Sequence, residues 1–232
     1  MGEVIFSLHI SHQKHYQILL LILTMAMSTL AVAQENSRNI WEQQYRDRSA
    51  VDMAAQFESP SRPVYRYRLE IVGLLELKPG MIVAEIGAGS GFLSRIIAEK
   101  VTPAGKAVAT ELDEKMVTYM NERARAERLS NFTAVRGQLT STGLDRASMD
   151  AIVIVNTYSF FDRPEEMLRS VAETLKPGGL LLIVDFPREG RGANARGAAA
   201  ADVTAVAAKA GFTKFDESSV VPQHYALKFR KR

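Results

Sequence analysis

Val83-Ala84-Glu85-Ile86-Gly87-Ala88-Gly89-Ser90-Gly91-Phe92 is the stretch whose reading decides the fold. Upstream of it Lys78-Pro79-Gly80 marks a turn, and Met81 to Ile86 is a short apolar run containing β-branched residues. Downstream, Leu93 to Lys100 carries apolar residues at helical spacing. Strand, glycine turn and helix in that order form the opening βα unit of a sheet that binds a nucleotide-like cofactor. Glycine serves where the backbone turns with positive φ, or where a ligand meets the main chain without a Cβ between them.

The spacing of the glycines narrows the cofactor. A dinucleotide fingerprint, G-x-G-x-x-G, begun at Gly87 would need its third glycine where Phe92 stands, and this chain has it at Gly91. A phosphate-cradling G-x-x-x-x-G-K-[ST] loop is absent as well. The pattern Glu85-x-Gly87-x-Gly89-x-Gly91 resembles motif I of class I S-adenosylmethionine (SAM)-dependent methyltransferases. Taken alone it also fits a glycine-rich turn of some other α/β protein.

The resemblance extends along the chain. Lys106 to Leu112 reads as the second strand and ends in Glu111, roughly 20 residues past the glycines, where an acidic residue accepts from ribose hydroxyls. Asp113 fits as the N-cap of a helix over Glu114 to Arg128. Phe132 to Arg136 is the third strand; Gln138 follows where many family members place an acid against the adenine amino group, and its amide oxygen is a substitute acceptor. Asp150 to Asn156 is a near-continuous apolar strand, expected to be central and covered on both faces. It resembles motif IV, with Asn156-Thr157-Tyr158 at its carboxyl end, beside the glycine turn. Ser159 and Phe160 stand where relatives often carry histidine, so no histidine base carries over there. Phe160 and Phe161 read as pocket wall or core.

Asp162-Arg163-Pro164-Glu165 has the composition of a capping box, opening a helix that runs to Leu175 and stops at Lys176-Pro177-Gly178-Gly179. Leu180 to Asp185 is the fifth strand, and Leu175 to Phe186 echoes the family strongly. Pro187 to Gly197 is a Gly/Arg-rich loop, Ala198 to Ala210 an alanine-rich helix, and Phe212 to Ser219 with Tyr225 to Phe229 a closing strand pair. Before the sheet, Ser59-Pro60-Ser61-Arg62-Pro63 is a break, and Val64 to Leu77 reads as one helix with Tyr67, Ile71, Leu74 and Leu75 on one face. In the family such leading helices cover the cofactor. Tyr65, Tyr67, Arg62, Arg66 and Arg68 face a ligand on that reading, or else form a solvated basic face.

Composition sets outer limits. The 232 residues suit one domain with some extra length, and 47% apolar with 24% charged residues is ordinary for a globular chain. Net charge is only +3 and no aromatic-basic stripe is present, so a nucleic-acid partner is not expected. With no cysteine there is no disulfide, thiolate metal site or cysteine nucleophile. Residues 1–33 read as a signal peptide: His12, Lys14 and His15, then a 13-residue, mostly apolar run from Ile18 to Leu30, then Ala31-Val32-Ala33. A membrane span needs about 20 residues. The expectation is export to the periplasm or medium after cleavage behind Ala33. An uncleaved anchor, or a cytoplasmic protein started at Met25 or Met27, are the alternatives. Cleavage removes three of the four histidines and leaves His224, which alone makes no metal centre.

The resemblance therefore implies a Rossmann-like seven-stranded α/β sandwich, mostly parallel with a terminal antiparallel strand. Residues 34–77 form a helical cap region and 78–232 the methyltransferase domain, with SAM as cofactor. Glu85 would hold the methionine ammonium, and Gly87, Gly89 and Gly91 the carboxypropyl chain and ribose. Ala88, Leu112, Gln138 and Asn156 join Glu111 in the cofactor site, Tyr158 positions the acceptor, and no metal is implied. The acceptor is expected to be a small molecule. A SAM-binding sensor or scavenger without turnover is the second reading.

Overall fold

Side chains on successive strand residues point to opposite faces, so an apolar strand without polar alternation must be covered twice. That is how the sheet is built. The computed structural model describes residues 47–188 and 197–232. The signal-peptide reading, the histidines within it, the first part of the expected cap region and most of the Gly/Arg-rich loop lie outside the described residues. Five parallel strands, β1 (Ile82–Ile86), β2 (Lys106–Glu111), β3 (Phe132–Arg136), β4 (Met149–Val155) and β5 (Leu175–Asp185), are joined by β6 (Phe212–Ser218) and β7 (Tyr225–Lys231), of which β7 runs antiparallel to both β5 and β6. Their order across the sheet is β3-β2-β1-β4-β5-β7-β6, with β7 inserted between β5 and β6. This is the expected seven-stranded, mostly parallel architecture with a closing antiparallel pair.

One layer holds α1 (Ala50–Phe57), α2 (Pro63–Arg66), α3 (Arg68–Gly73), α4 (Phe92–Val101) and α5 (Glu114–Ala126); the other holds α6 (Pro164–Thr174) and α7 (Ala200–Lys209). Val83, Ala109, Val153 and Leu182 face the first layer, and Ala84, Ile152, Ile183 and Leu227 the second. Central β4 is closed off completely, with Ala151 to Ile154 fully buried, and truncating Ile152 to alanine would cost about 2–5 kcal/mol. The strand order reverses direction between β1 and β4, which opens a crevice at their carboxyl ends.

Three local expectations are corrected. Residues 64–77 do not form one helix: Tyr67, at φ −98° and ψ 25°, ends α2 and begins α3. No capping box opens α6; its N-cap is Arg163, without a side-chain hydrogen bond, and Pro164 supplies the first turn instead. The helix does stop, at Thr174, but the strand begins directly at Leu175 and not at Leu180, because Leu175 pairs with Met149, and a register shift lies between Met149 and Ala151. Gly178, at φ 71°, takes up the bend. Asp113 does cap α5, its Oδ1 accepting from Lys115 N at 2.8 Å.

Candidate functional site

The turn after β1 is held by the end of β2: the N–H groups of Gly87 and Ala88 both donate to Thr110 O, at 2.9 and 3.0 Å. Gly87, Gly89 and Gly91 have φ of 72°, 56° and 71°, a conformation that L side chains avoid. The space a Cβ would take is already filled. At Gly87 it would lie 2.3 Å from Thr157 Cγ2, at Gly89 3.1 Å from the Phe57 ring, and at Gly91 2.8 Å from Met120 Sδ. So in this structure the glycines admit Thr157 after β4, Phe57 from α1 and Met120 from α5. Phe57 is held there in part by its neighbour Glu58, which pairs with Arg123 of α5 at 2.6 Å and Arg95 of α4 at 3.5 Å.

Strand alternation puts Glu85 and Glu111 in the same layer, one strand apart, and both are buried, at 3% and 8% exposure. Glu85 Oε2 accepts from Ser94 N at 3.0 Å and Ser94 Oγ at 2.5 Å. Glu111 Oε2 accepts from Gly89 N at 2.8 Å, and Oε1 from Leu112 N at 2.7 Å and Asp113 N at 3.4 Å. Among the described residues no lysine or arginine pairs with either acid. Burial, with the repulsion of Glu111 added, pushes the Glu85 carboxyl up to about 8 in spite of the Ser94 hydrogen bonds. Burial raises Glu111 too, against the pull of its backbone donors. Two adjacent acids stripped of water and without a cation favour a ligand that brings positive charge.

Around them lie polar atoms with nothing to bind. Ser90 Oγ in the glycine turn and Asn156 Oδ1 at the end of β4 are buried and lack any partner. Asn156 also sits at φ 50°, a strained conformation for a residue with a side chain. Leu112, beside Glu111, leaves 47% of its surface exposed, as does Leu139 beside Gln138. Gln138 is exposed, and its amide oxygen accepts from Ser141 Oγ. Unmet donors and acceptors, uncovered apolar side chains and two acids suit the polar, cationic and aromatic parts of SAM. The residues present fit that cofactor.

Tyr158 stands apart from this group. It is buried in the opposite layer, against Phe161 at 5.7 Å between ring centroids. Burial, with Asp202 and Asp185 nearby, pushes its phenol up to about 12. Of the two phenylalanines, Phe160 is exposed and Phe161 packs into that core. Arg68 stacks over the Tyr65 ring at 4.4 Å, and Tyr65 meets Phe92 edge-on at 5.4 Å, so these residues pack on one another. Among the described residues no cluster of histidine, aspartate and glutamate is arranged to hold a metal ion.

Sequence reasoning missed Ser94 and Phe57, and placed Thr157 and Asp185 at their strand ends without giving either a role. Ser94 lies nine residues past Glu85 on α4, a separation with no motif attached. Asp185, at the end of β5, accepts from Phe186 N at 2.9 Å and Ser159 N at 3.2 Å, and burial pushes its carboxyl up to about 6. An acid ending an otherwise apolar strand was its available signal.

Comparison with known proteins places this geometry. Residues 83–179 match the family described as "Methyltransferase domain". Over 126 residues the chain is 28% identical to the ubiquinone/menaquinone biosynthesis C-methyltransferase UbiE of Ectopseudomonas mendocina, covering 54% of this chain and 48% of that protein. Over 111 residues it is 32% identical to the protein-L-isoaspartate O-methyltransferase of Methanopyrus kandleri, covering 47% and 46%. The chain thus spans about half the length of the curated relatives it matches. The crystal structure of a SAM-dependent methyltransferase from Aquifex aeolicus superimposes with a TM-score of 0.68 at 22% identity, covering 77% of this chain and 97% of that one.

Proposed function

We propose that this chain, which carries a class I methyltransferase domain with SAM as its cofactor, moves the SAM methyl group to a small-molecule acceptor. The observation that carries the reading is the pair Glu85 and Glu111, buried side by side in one layer with no cation from the described protein. A dinucleotide would bring phosphates to that pair, whereas SAM brings an ammonium and a sulfonium. The cofactor supplies a methyl carbon already activated by positive sulfur, which leaves positioning and the exclusion of water to the protein.

Each residue then has a task. Glu111 keeps a lone pair free on Oε2, which accepts only from Gly89 N, and offers it to a ribose hydroxyl, while the long contact of Oε1 with Asp113 N can give way to the second hydroxyl. Glu85, held by Ser94, faces the ammonium and becomes a full carboxylate when that charge arrives. Ser90 Oγ and Asn156 Oδ1 gain partners they lack. Leu112 is covered by the adenine ring, Gln138 lies at its edge, and Ala88 with the three glycines lines the turn. Phe57 and Thr157, which lie over Gly89 and Gly87, keep water from the reacting centre.

The curated relatives methylate different atoms, one carbon and one oxygen by their names, so the acceptor is argued from this chain. An acceptor of small size fits a site overhung by α1. Labelled SAM incubated with the protein and a small-molecule extract tests the reading: methyl label in a new small product supports it, and SAM bound without any product would make the protein a sensor or scavenger. From the signal-peptide pattern of residues 1–33 we also propose that the chain is exported after cleavage behind Ala33. Mass spectrometry of the natively expressed protein checks this: a terminus at Gln34 is expected, and one at Met1, Met25 or Met27 would refute it.

A further inference from the structure

The pairing of β5 with β7 sets Tyr225 opposite Asp185, so His224, one residue earlier, stands at the same edge as the ends of β1, β2 and β4. Tyr225 belongs to the layer of α6 and α7, while Val220 and Val221 pack into the layer that holds Glu85 and Glu111. His224 lies edge-on to Phe186 at 6.2 Å between centroids. Arg62, whose charge opposes protonation of His224, donates through Nη1 to Phe57 O at 2.9 Å, and Phe57 in turn covers Gly89. Gly89, Phe57 and Arg62 thus form a connected run beside the glycine turn, and His224 lies within electrostatic reach of Arg62.

The imidazole has a defined tautomer. His224 Nδ1 is 2.9 Å from Pro222 O, and a carbonyl oxygen only accepts, so Nδ1 carries the hydrogen. Nε2 is left with a lone pair, and that atom is buried without any partner. Burial, with Arg62 adding repulsion, holds the imidazole below its ordinary value, so it is neutral and ready to accept at pH 7. Arg62 is the charged group acting on it from the cap; Tyr225 follows it on β7, and Asp185 stands opposite Tyr225 on β5.

Resting on the methyltransferase reading above, we propose that His224 Nε2 takes the proton of the methyl acceptor, which is therefore a small molecule carrying a hydroxyl or amine. The acceptor's oxygen or nitrogen forms the new bond to the methyl carbon. The electron pair of the broken carbon–sulfur bond stays on sulfur, and the acceptor's proton passes to Nε2 and from there to solvent. His224 is a catalytic residue on this account, and Pro222 and Phe186 set its tautomer and tilt.

The test uses the full chain, with His224→Gln and His224→Ala beside it. Long-range nitrogen–proton spectra, with the His224 signal identified by its loss in the variants, should show the Nδ1–H tautomer at neutral pH and a titration midpoint below the ordinary histidine value of about 6.5. An Nε2–H tautomer would overturn the proposal. SAM binding measured by calorimetry should stay within about twofold in both variants. Transfer of labelled methyl from SAM to small molecules of a filtered extract should fall by about 100-fold or more, and the acid limb of the wild-type pH–rate profile should vanish with it. A variant that transfers label at the wild-type rate overturns this proposal alone. Wild-type protein that does not bind SAM, or binds it and transfers nothing, overturns the methyltransferase reading and this proposal together.

Discussion

At the amino ends of the parallel strands, Asp150 accepts from Ile82 N at 2.7 Å and from Lys176 Nζ at 2.7 Å, while Asn131 donates to Ala98 O and Gly105 O. At the carboxyl ends, Glu85, Glu111 and Asp185 lie buried with only neutral donors, and Ser90, Asn156, His224 and Tyr225 each hold a buried polar atom with no partner at all. The same sheet thus has one finished end and one unfinished end. Buried polar groups left unmet cost folding energy, so such a concentration at one end argues that something else completes it. The difference separates groups that stabilise the fold from groups held for a ligand.

Gly87→Ala should have the largest effect. A left-handed residue with a side chain costs about 1–2 kcal/mol, and the clash with Thr157 adds about 1–3 kcal/mol. Thermal melting should show a large loss, with Thr157→Ala restoring the packing part but not the backbone part. Unchanged melting would remove the conformational reason for this glycine. Glu111→Ala comes next. SAM affinity should fall by roughly 10- to 100-fold, from charge-assisted bonds worth about 1.5–3 kcal/mol. The free protein should also melt lower, because Gly89 N and Leu112 N lose their acceptor. A stability loss with unchanged SAM affinity would make this end as self-contained as the other.

The pH dependence sharpens the contrast. With its carboxyl up at about 8, Glu85 is protonated in the free protein at neutral pH and must release that proton when a cation binds. SAM affinity should therefore rise with pH by up to roughly tenfold per unit, levelling as pH approaches the Glu85 value. Calorimetry between about pH 5.5 and 7 avoids the ligand's own amino group, which titrates near 7.7–8.0. Glu85→Gln should flatten the slope. For stability the sign is opposite: because folding raises the Glu85 value, its contribution is complete at acid pH and lost as pH rises through about 8, so the Gln variant gains on wild type under alkaline conditions. The smallest effect belongs to the finished end. Lys176→Met breaks a partly exposed pair and should cost less than about 1 kcal/mol, with no change in SAM affinity.

Much of this contrast was legible in the chain, and the limit is physical. Strand runs and the glycine turn are local signals, so β1 to β4 and the Leu180–Asp185 part of β5 followed from residue pattern, whereas the juxtaposition of Glu85 and Glu111 depends on the register of β1 with β2. The single helix expected over residues 64–77 failed because periodicity does not register a backbone break at Tyr67. Lys176 to Gly179 read as a turn between helix and strand because Pro and Gly mark turns, yet the strand already starts at Leu175, which pairs with Met149. His224, alone, was set aside only as a metal ligand. Its tautomer depends on Pro222 O and its position on the register of β7 with β5, neither of which is written in residue spacing.

The most direct test of the account titrates the full chain with SAM and, separately, with NAD by calorimetry. Two buried acids without a cation should accept the positively charged ligand and refuse the phosphates: SAM binds in the micromolar range, about −8 kcal/mol, and NAD gives no heat. NAD binding with no response to SAM would contradict the account.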